Sequence, residues 1–340
     1  MNRPFPKLFI GLASAMLLGV ANAQTPSSTP VIGFYKQSFS QGGVYSMVSG
    51  FVSRTEFQGQ ASSTPSVAGV VMTINQSGAS WAPDQFNTFT NGSSSHYVEV
   101  LDDANSLHVG LILDITGNSA NSLTVSVPGG FVPGLNFKYA VRKHATLGTV
   151  LEPSCGLVDD TDAALLLDSV GNEIVALFTS GGVWLDANDL SNISERVLYP
   201  GQGLVLLLAD ARTVTMGGGS LSYVKTGDTR ISLPAGIPTI VGLINPLVAS
   251  STADPLYYTT SRNTLNLAGF NQIIQDSDFL IQLKTDGTLE TETEIINSSS
   301  EGGLVNAGDN TPVGGQYLRN GDALIYIPGG DVSFVLPQRH

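Results

Sequence analysis

The sequence has few charged residues and only one cysteine. Charged residues make up 13% of its 340 residues, about half the usual share, so Ser, Thr, Asn, Gln and Gly must supply much of the polar surface. Because Cys155 is alone, it excludes an intramolecular disulfide. Its segment, Glu152-Pro-Ser-Cys-Gly156, contains no basic partner, and the nearest histidine is His144. This pattern favours a buried structural thiol over a catalytic nucleophile.

Basic residues are scarcer than acidic ones. The chain has 15 Lys and Arg against 28 Asp and Glu, a net charge of −13. Binding to nucleic acid requires clustered Lys and Arg to neutralise phosphates, and docking on anionic lipid requires the same. The acid excess argues against both partners. It would attract a cationic partner or divalent ions, but we interpret it mainly as a contribution to solubility.

Recognisable catalytic and metal-binding motifs are also missing. The sequence contains no HExxH or HxH zinc pattern, no GxSxG elbow, no phosphate-binding P-loop and no dinucleotide fingerprint. Gly217-Gly-Gly219 lacks the lysine and helix that phosphate binding needs, and we interpret it as a linker. We therefore predict no catalytic, cofactor-binding or metal-binding residues, and interpret the histidines as structural or solvated: His96, His108, His144 and His340.

The first 23 residues have the features of a cleaved export signal. Two basic residues precede an apolar run over residues 8–20, and Ala21-Asn22-Ala23 has the small residues that signal processing requires. The run is too short for a stable membrane span. We predict a signal peptide over 1–23, a mature chain from Gln24 with a net charge of 13 − 28 = −15, and a flexible lead-in over 24–30. The predicted location is the periplasm, the cell surface or the extracellular space.

Short apolar segments separated by turn residues predict an all-β fold. Turn signals such as Asn91-Gly92, Gly117-Asn118 and Pro128-Gly129-Gly130 punctuate the chain. The best helical candidate is short, around residues 189–196, where Asp189 or Ser191 could act as a cap. Clear strand signals lie at residues 67–75, 97–101, 107–115, 122–127 and 136–142.

Two parts of the chain carry the same markers in the same order. The first runs from Thr146-Leu147 through an acidic turn, an apolar run at 163–167 and a glycine pair to Leu198-Tyr-Pro-Gly-Gln-Gly. The second runs from Thr264-Leu265 through the apolar run 279–283 to Leu318-Arg-Asn-Gly-Asp. A Gly-led strand precedes each copy. This order predicts an internal duplication in which Gly201 and Gly321 occupy equivalent turns.

The predicted fold class is therefore all-β, with two related β-sandwich or barrel-like units. The first unit covers residues 31–225 and contains a small β-barrel-like insert at about 65–137. The second unit covers 230–340 and is related to the 146–208 region. The seam between the units is expected within 217–229, which is rich in Gly and Thr.

Several short motifs together resemble a family of exported β-rich proteins from environmental bacteria. They are Pro30-Val-Ile-Gly-Phe34, Trp81-Ala-Pro-Asp-Gln-Phe86, His96-Tyr-Val-Glu-Val100, Arg142-Lys-His-Ala-Thr-Leu147, Gly181-Gly-Val-Trp184 and Tyr199-Pro-Gly-Gln-Gly203. The resemblance covers most of the mature chain and implies export and a β-rich fold. It implies no reaction and supplies no catalytic residues.

Two kinds of site are possible but have no full motif. Glycoside hydrolysis needs two convergent carboxylates, and Trp81 and Trp184 are the residues best suited to stack on a sugar. The candidate carboxylates are Glu99, Asp102, Asp103, Asp114, Glu152, Asp186 and Glu195. Calcium would need the oxygen ligands of Asp159-Asp-Thr-Asp162 or Asp186-Ala-Asn-Asp189, but neither has an EF-hand register. Ordinary acidic turns are favoured over a structural calcium site.

The favoured function is that of an exported, non-enzymatic structural, adhesive or binding protein. Its partner would be an unidentified extracellular or cell-envelope component, with a polysaccharide among the candidates, bound on loops. The alternative is a secreted carbohydrate-binding or glycosidase-like protein that uses an Asp/Glu pair. A membrane-embedded β protein is less favoured because the strand signals are short, so we predict that the processed chain is not an integral membrane protein.

Overall fold

The computed structural model describes residues 35–48, 52–87, 89, 93–104, 108–217, 221–222, 229–242, 274, 278–283, 289–298, 303–313 and 323–336. Every described residue belongs to one compact unit, Val31–His340. The predicted signal peptide and its cleavage site lie outside the described residues, as do Thr264, Gly321 and His340.

The protein is all-β, as its alternating apolar pattern predicts, and within the described ranges every strand pairing is antiparallel. A short helix, α1 (Leu147–Val150), begins at a capping box formed by Thr146 and Thr149. The strands are β1 (Tyr35–Phe39), β2 (Gly43–Val48), β3 (Val52–Ser53), β4 (Thr55–Gln60), β5 (Ser66–Ala68), β6 (Val71–Asn75), β7 (His96–Asp102), β8 (Ile112–Asn118), β9 (Ser122–Ser126), β10 (Lys138–Lys143), β11 (Ala145–Thr146), β12 (Ala163–Leu167), β13 (Glu173–Thr179), β14 (Val183–Asp186), β15 (Val197–Leu198), β16 (Gly203–Leu208), β17 (Arg212–Met216), β18 (Leu221–Ser222), β19 (Thr229–Leu233), β20 (Thr239–Gly242), β21 (Asp278–Leu283), β22 (Leu289–Ser298), β23 (Gly303–Asn306), β24 (Ala323–Ile327) and β25 (Val332–Leu336).

Two five-stranded sheets have the same strand order. The first sheet is ordered β2-β16-β12-β13-β14, and the second sheet is ordered β20-β24-β21-β22-β23. A separate two-stranded ladder accompanies each sheet, β1 with β17 and β19 with β25. The loops after β14 and β23 also match, since Leu190 and Asn310 both have a left-handed backbone, with φ of 60° and 59°.

The two five-stranded sheets contact each other through one face. Along β16, Leu204, Leu206 and Leu208 enter the core of the first sheet, whereas the alternate residue Val205 packs against Ile240 and Ala323 of the second sheet. Alternation along a strand sends successive side chains to opposite faces. The first sheet is therefore buried on both faces at β16, and this explains the continuous apolar run in its sequence.

The segment between β3 and β11 forms a seven-stranded sheet, here called the insert sheet, in the order β4-β10-β7-β8-β9-β6-β5. It includes β4 and β10, which lie on either side of the predicted range 65–137. Val98, Leu113 and Val141 point into a core of their own. The opposite face of the same strands carries polar side chains, among them Glu99 and Asp114.

Three local predictions differ from the structure. No helix forms at 189–196, because the side chains of Asp189 and Asn192 accept the backbone N–H groups of Ser191 and Ser194 and stabilise turns instead. The predicted strand 67–75 is a hairpin of β5 and β6, turned at Gly69 with φ of 66°. In the predicted strand 107–115, pairing begins only at Ile112, after a turn at Gly110.

Among the described residues, no helix has both the length and the apolar character needed to span a membrane.

Candidate functional site

A groove with a volume of about 870 Å³ lies where the insert sheet, the first sheet and the second sheet meet. Ligand sites commonly form at such junctions and have volumes of about 300–1,000 Å³. Polar and apolar surface contribute about equally to its lining, and the apolar side chains come from β12, β15, β20 and the loop before β15. It is lined by Ser93, Ser94, Asp114, Leu166, Leu167, Asp168, Ser169, Ser191, Asn192, Ile193, Arg196, Val197, Leu198, Tyr199, Gln202, Gly203 and Ile240.

The turn between β15 and β16 positions two of these lining residues. Tyr199-Pro200-Gly201-Gln202 closes with a hydrogen bond from the Gln202 N–H to the Tyr199 carbonyl at 3.0 Å. Gly201 has φ of 85°, as the third position of a type II turn after proline requires. The Gln202 side chain also accepts the Tyr199 N–H at 2.9 Å. The motif therefore fixes Tyr199 and Gln202 at the groove, a role its sequence alone does not reveal.

Asp114 joins the insert sheet to this turn. Its two carboxylate oxygens accept hydrogen bonds from His144 Nε2 at 3.0 Å and from the Tyr199 hydroxyl at 2.7 Å. Because a carboxylate only accepts, the proton of His144 is assigned to Nε2. Burial, and then the adjacent carboxylate, raise the pKa of the Tyr199 hydroxyl above its ordinary value. Tyr199 therefore remains a hydrogen-bond donor at ordinary pH.

Two aromatic rings pack against the imidazole of His144. The ring of Tyr97 lies 4.8 Å from the imidazole and the ring of Tyr199 lies 5.1 Å from it. The His144 side chain is fully buried, and its Nδ1 atom has no hydrogen-bond partner among the described residues. Of the hydrogen-bonded pair His144 and Asp114, only Asp114 lines the groove, and 31% of its side chain is exposed. His144 therefore orients Asp114 and does not face a ligand.

Arg196 and Asp168 bring opposite charges to the groove. The Asp168 carboxylate accepts the N–H groups of Val170 and Asn172 and the side-chain amide of Asn172, at 2.8–3.0 Å. These bonds, the one from the Asn172 backbone first, hold the pKa of Asp168 below its ordinary value, with a smaller effect from the positive charge of Arg196. Within the part of the chain that the structure describes, the Arg196 guanidinium makes no hydrogen bond or ion pair.

Leu190 lies beside the groove in an unusual conformation. It precedes the lining residue Ser191, has φ of 60° and is 63% exposed. The matching residue after β23 is Asn310, a residue type that tolerates a left-handed backbone better than leucine does. Leucine at position 190 therefore destabilises the folded state in two ways, through its left-handed backbone and through its exposed apolar side chain.

Other titratable pairs lie away from the groove. Arg142 Nε donates to Glu99 at 2.7 Å, and both side chains are buried. His108 Nδ1 lies 2.5 Å from Asp103, which also accepts the Gly134 N–H. These contacts join neighbouring strands and loops of the insert sheet and have a structural role.

A hydroxyl, an imidazole and a carboxylate also follow one another at the edge of the insert sheet. Ser95 Oγ lies 2.7 Å from His96 Nδ1, and His96 Nε2 lies 3.2 Å from Glu56. Nucleophilic catalysis needs such a hydroxyl to reach a substrate, but Ser95 is only 1% exposed. The arrangement is therefore unsuited to acyl transfer.

The structure buries both tryptophans and the cysteine. Trp81 lies in the core of the insert sheet, and Trp184 lies in the core of the first sheet, where its indole N–H donates to the Leu151 carbonyl. Neither ring is placed to stack on a sugar. Cys155 is also buried in the first core, and burial raises the pKa of its thiol, as the structural interpretation of this residue requires.

The acidic turns bind their own backbone. Asp162 is buried and accepts the N–H groups of Val158 and Ala209 together with the guanidinium of Arg212. Asp186 and Asp189 each accept a backbone N–H two residues further on. Over the described ranges, no group of three or more His, Cys, Asp or Glu side chains is arranged to hold a metal ion.

Of the carboxylates considered from sequence, only Asp114 lines the groove. The other groove carboxylate, Asp168, as well as Arg196 and Tyr199, were not identified from sequence as site residues. Their signals in the sequence were weak, since an aspartate at the start of an Asp-Ser-Val-Gly turn and an isolated arginine are common on protein surfaces. Comparisons of the chain with models of known protein families, with curated protein sequences and with solved structures find no match.

Proposed function

We propose that this protein is exported and acts by binding a small polar ligand, or a segment of a larger partner, in the groove without converting it chemically. The observation that carries the proposal is the groove itself, which joins three sheets and presents hydroxyl, amide and charged groups over an apolar floor. Such a combination is typical of binding sites, where a few polar groups fix the orientation of the ligand.

The chemistry of the two groove carboxylates favours binding over hydrolysis. A glycosidase needs one carboxyl group that stays protonated near neutral pH. The pKa of Asp168 is lowered by the N–H groups of its own turn, so this residue is a poor general acid. The oxygens of Asp114 already accept hydrogen bonds from His144 and Tyr199.

A carbohydrate-active protein is the second candidate. One specific observation supports it, namely that Asp114 and Asp168 line the same groove. In that case, an oligosaccharide would be cleaved and the reaction would be lost in both D114N and D168N. Binding without release of shorter sugars supports the first proposal instead.

The duplication predicted from sequence is part of the proposal. The shared strand order of the two five-stranded sheets supports it, as does the matched loop conformation at Leu190 and Asn310. Only the first of these units carries the insert sheet, which supplies Asp114, and the second contributes Ile240 to the same groove.

A groove-blocking variant tests the proposal. Ser169 is an exposed lining residue, so S169W should fill the groove and abolish binding, whereas S63W, at an exposed serine outside it, should not. Binding would be measured by isothermal titration against soluble oligosaccharides and peptides, and products by chromatography. Equal binding by S169W and the parent protein would overturn the proposal. For export, N-terminal sequencing of secreted protein should begin at Gln24.

A further inference from the structure

Among the described residues that line the groove, Arg196 is the only cation. Its guanidinium forms no hydrogen bond or ion pair with the described residues. An arginine in a structural role is normally paired, as Arg142 is with Glu99 and Arg212 is with Asp162. The planar guanidinium of Arg196 therefore keeps its fork of donors available for a ligand.

The neighbouring Asp168 carboxylate does not compete strongly for the N–H donors of Arg196. The positive charge of Arg196 contributes to the lowered pKa of Asp168. Three donors of the turn that contains Asp168 already bind its carboxylate oxygens. The Asp168 carboxylate is therefore hydrogen-bonded within its own turn, whereas the Arg196 guanidinium has no hydrogen-bond partner among the described residues. A carboxylate matches the two parallel N–H groups of arginine better than any neutral group does.

The rest of the lining suits a polyhydroxylated ligand. Ser94, Ser191 and Asn192 bring hydroxyl and amide groups to the same space, and Tyr199 lies on one wall. The apolar floor at Leu167 and Ile240 can contact the C–H groups of a sugar ring. Within the described lining, hydroxyl, amide and aromatic side chains thus accompany an arginine that pairs with no described side chain, a combination that suits a sugar carrying a carboxylate.

We infer that the groove binds an acidic oligosaccharide of the uronic acid class, with the ligand carboxylate held by the Arg196 guanidinium. This inference rests on the proposed function and names its ligand. Since the protein as a whole is strongly acidic, long-range attraction does not assist binding, and selectivity for the acidic ligand comes from the short-range contact with Arg196.

A pair of probes, one with charged and one with neutral carboxyl groups on the same sugar rings, tests the inference. Oligogalacturonate carries a carboxylate on each ring, and its methyl ester has the same rings without the charges. The parent protein should bind oligogalacturonate at least about tenfold more tightly than the ester, because hydrogen bonds to charged groups contribute most to such differences. Titration calorimetry at constant ionic strength measures both affinities.

Three variants locate the charge contact. R196Q should lose about tenfold or more of the affinity for oligogalacturonate and with it the preference for oligogalacturonate over the ester. R196K keeps the positive charge but lacks the two parallel N–H donors of arginine, so its affinity for oligogalacturonate should lie between those of the parent and R196Q. R54Q, at an exposed arginine outside the groove, is the matched control and should bind as the parent does.

The outcomes separate this inference from the broader proposal. Equal affinity of the parent for both probes, or unchanged oligogalacturonate binding in R196Q, would overturn the inference and leave a groove for neutral sugars. Binding of neither probe also overturns it. Only the S169W comparison with other ligands then decides whether the groove binds anything.

Discussion

The buried ion pair between Glu99 and Arg142 gives the sharpest prediction about stability. The two residues lie on neighbouring strands of the insert sheet, their atoms are 2.7 Å apart, and the side chains are only 2% and 8% exposed. Replacing Arg142 by methionine would leave the Glu99 carboxylate buried without its cationic partner. We expect R142M to lower the free energy of unfolding by about 3–5 kcal/mol.

The double variant gives the decisive comparison. Replacing both partners removes both buried charges, so E99M/R142M should be destabilised less than either single variant. The exposed pair Lys138–Asp102 joins the same two strands at 2.6 Å and is the matched control. Because solvent screens an exposed pair, K138M should cost no more than about 1 kcal/mol.

Tryptophan fluorescence during urea unfolding provides the assay. The chain has two tryptophans, and Trp81 lies in the core of the insert sheet. In a W184F background, Trp81 therefore reports unfolding of that sheet, and the shift in midpoint at constant slope gives the change in stability. A cost below about 1 kcal/mol for R142M, or a double variant as destabilised as the sum of the singles, would refute the reasoning.

Two further predictions concern the first core and the edge of the insert sheet. Leu206 is fully buried on β16, so L206D should destabilise the protein by several kcal/mol by placing a charge in the core, whereas V132D, at a side chain 70% exposed, should have little effect. Thermal unfolding of the two variants checks this, and similar midpoints would contradict it. For His96, burial lowers the pKa in the folded state despite the opposing charge of Glu56. Because the unfolded chain then binds more protons than the folded protein, stability should fall as the pH drops through the ordinary histidine pKa of about 6.5. The variant H96Q should make the stability depend less on pH between about pH 7 and 5. An unchanged pH dependence in H96Q would contradict this assignment to His96.

The amino-acid sequence by itself determined the fold class and several turns. Apolar residues at every second position, in segments separated by glycine and proline, are sufficient for an all-β prediction, because the alternation of side chains along a strand is a local property. Tyr199-Pro-Gly-Gln202 predicted a tight reversal for the same reason, and the structure has it, with Gly201 left-handed. The expected helix at 189–196 was wrong because the Asp189 and Asn192 side chains bind nearby N–H groups, a competition that periodicity does not detect.

Only the tertiary structure decided where the groove lies and which residues line it. Asp114 and Tyr199 are 85 residues apart in sequence, yet their side chains form a hydrogen bond. Ile240 reaches the same groove from the second sheet. That no described side chain pairs with Arg196 also depends on the fold, since a sequence shows a charge but not whether another side chain neutralises it. Strand pairing and sheet contacts between distant residues create the groove, and no local pattern encodes such contacts.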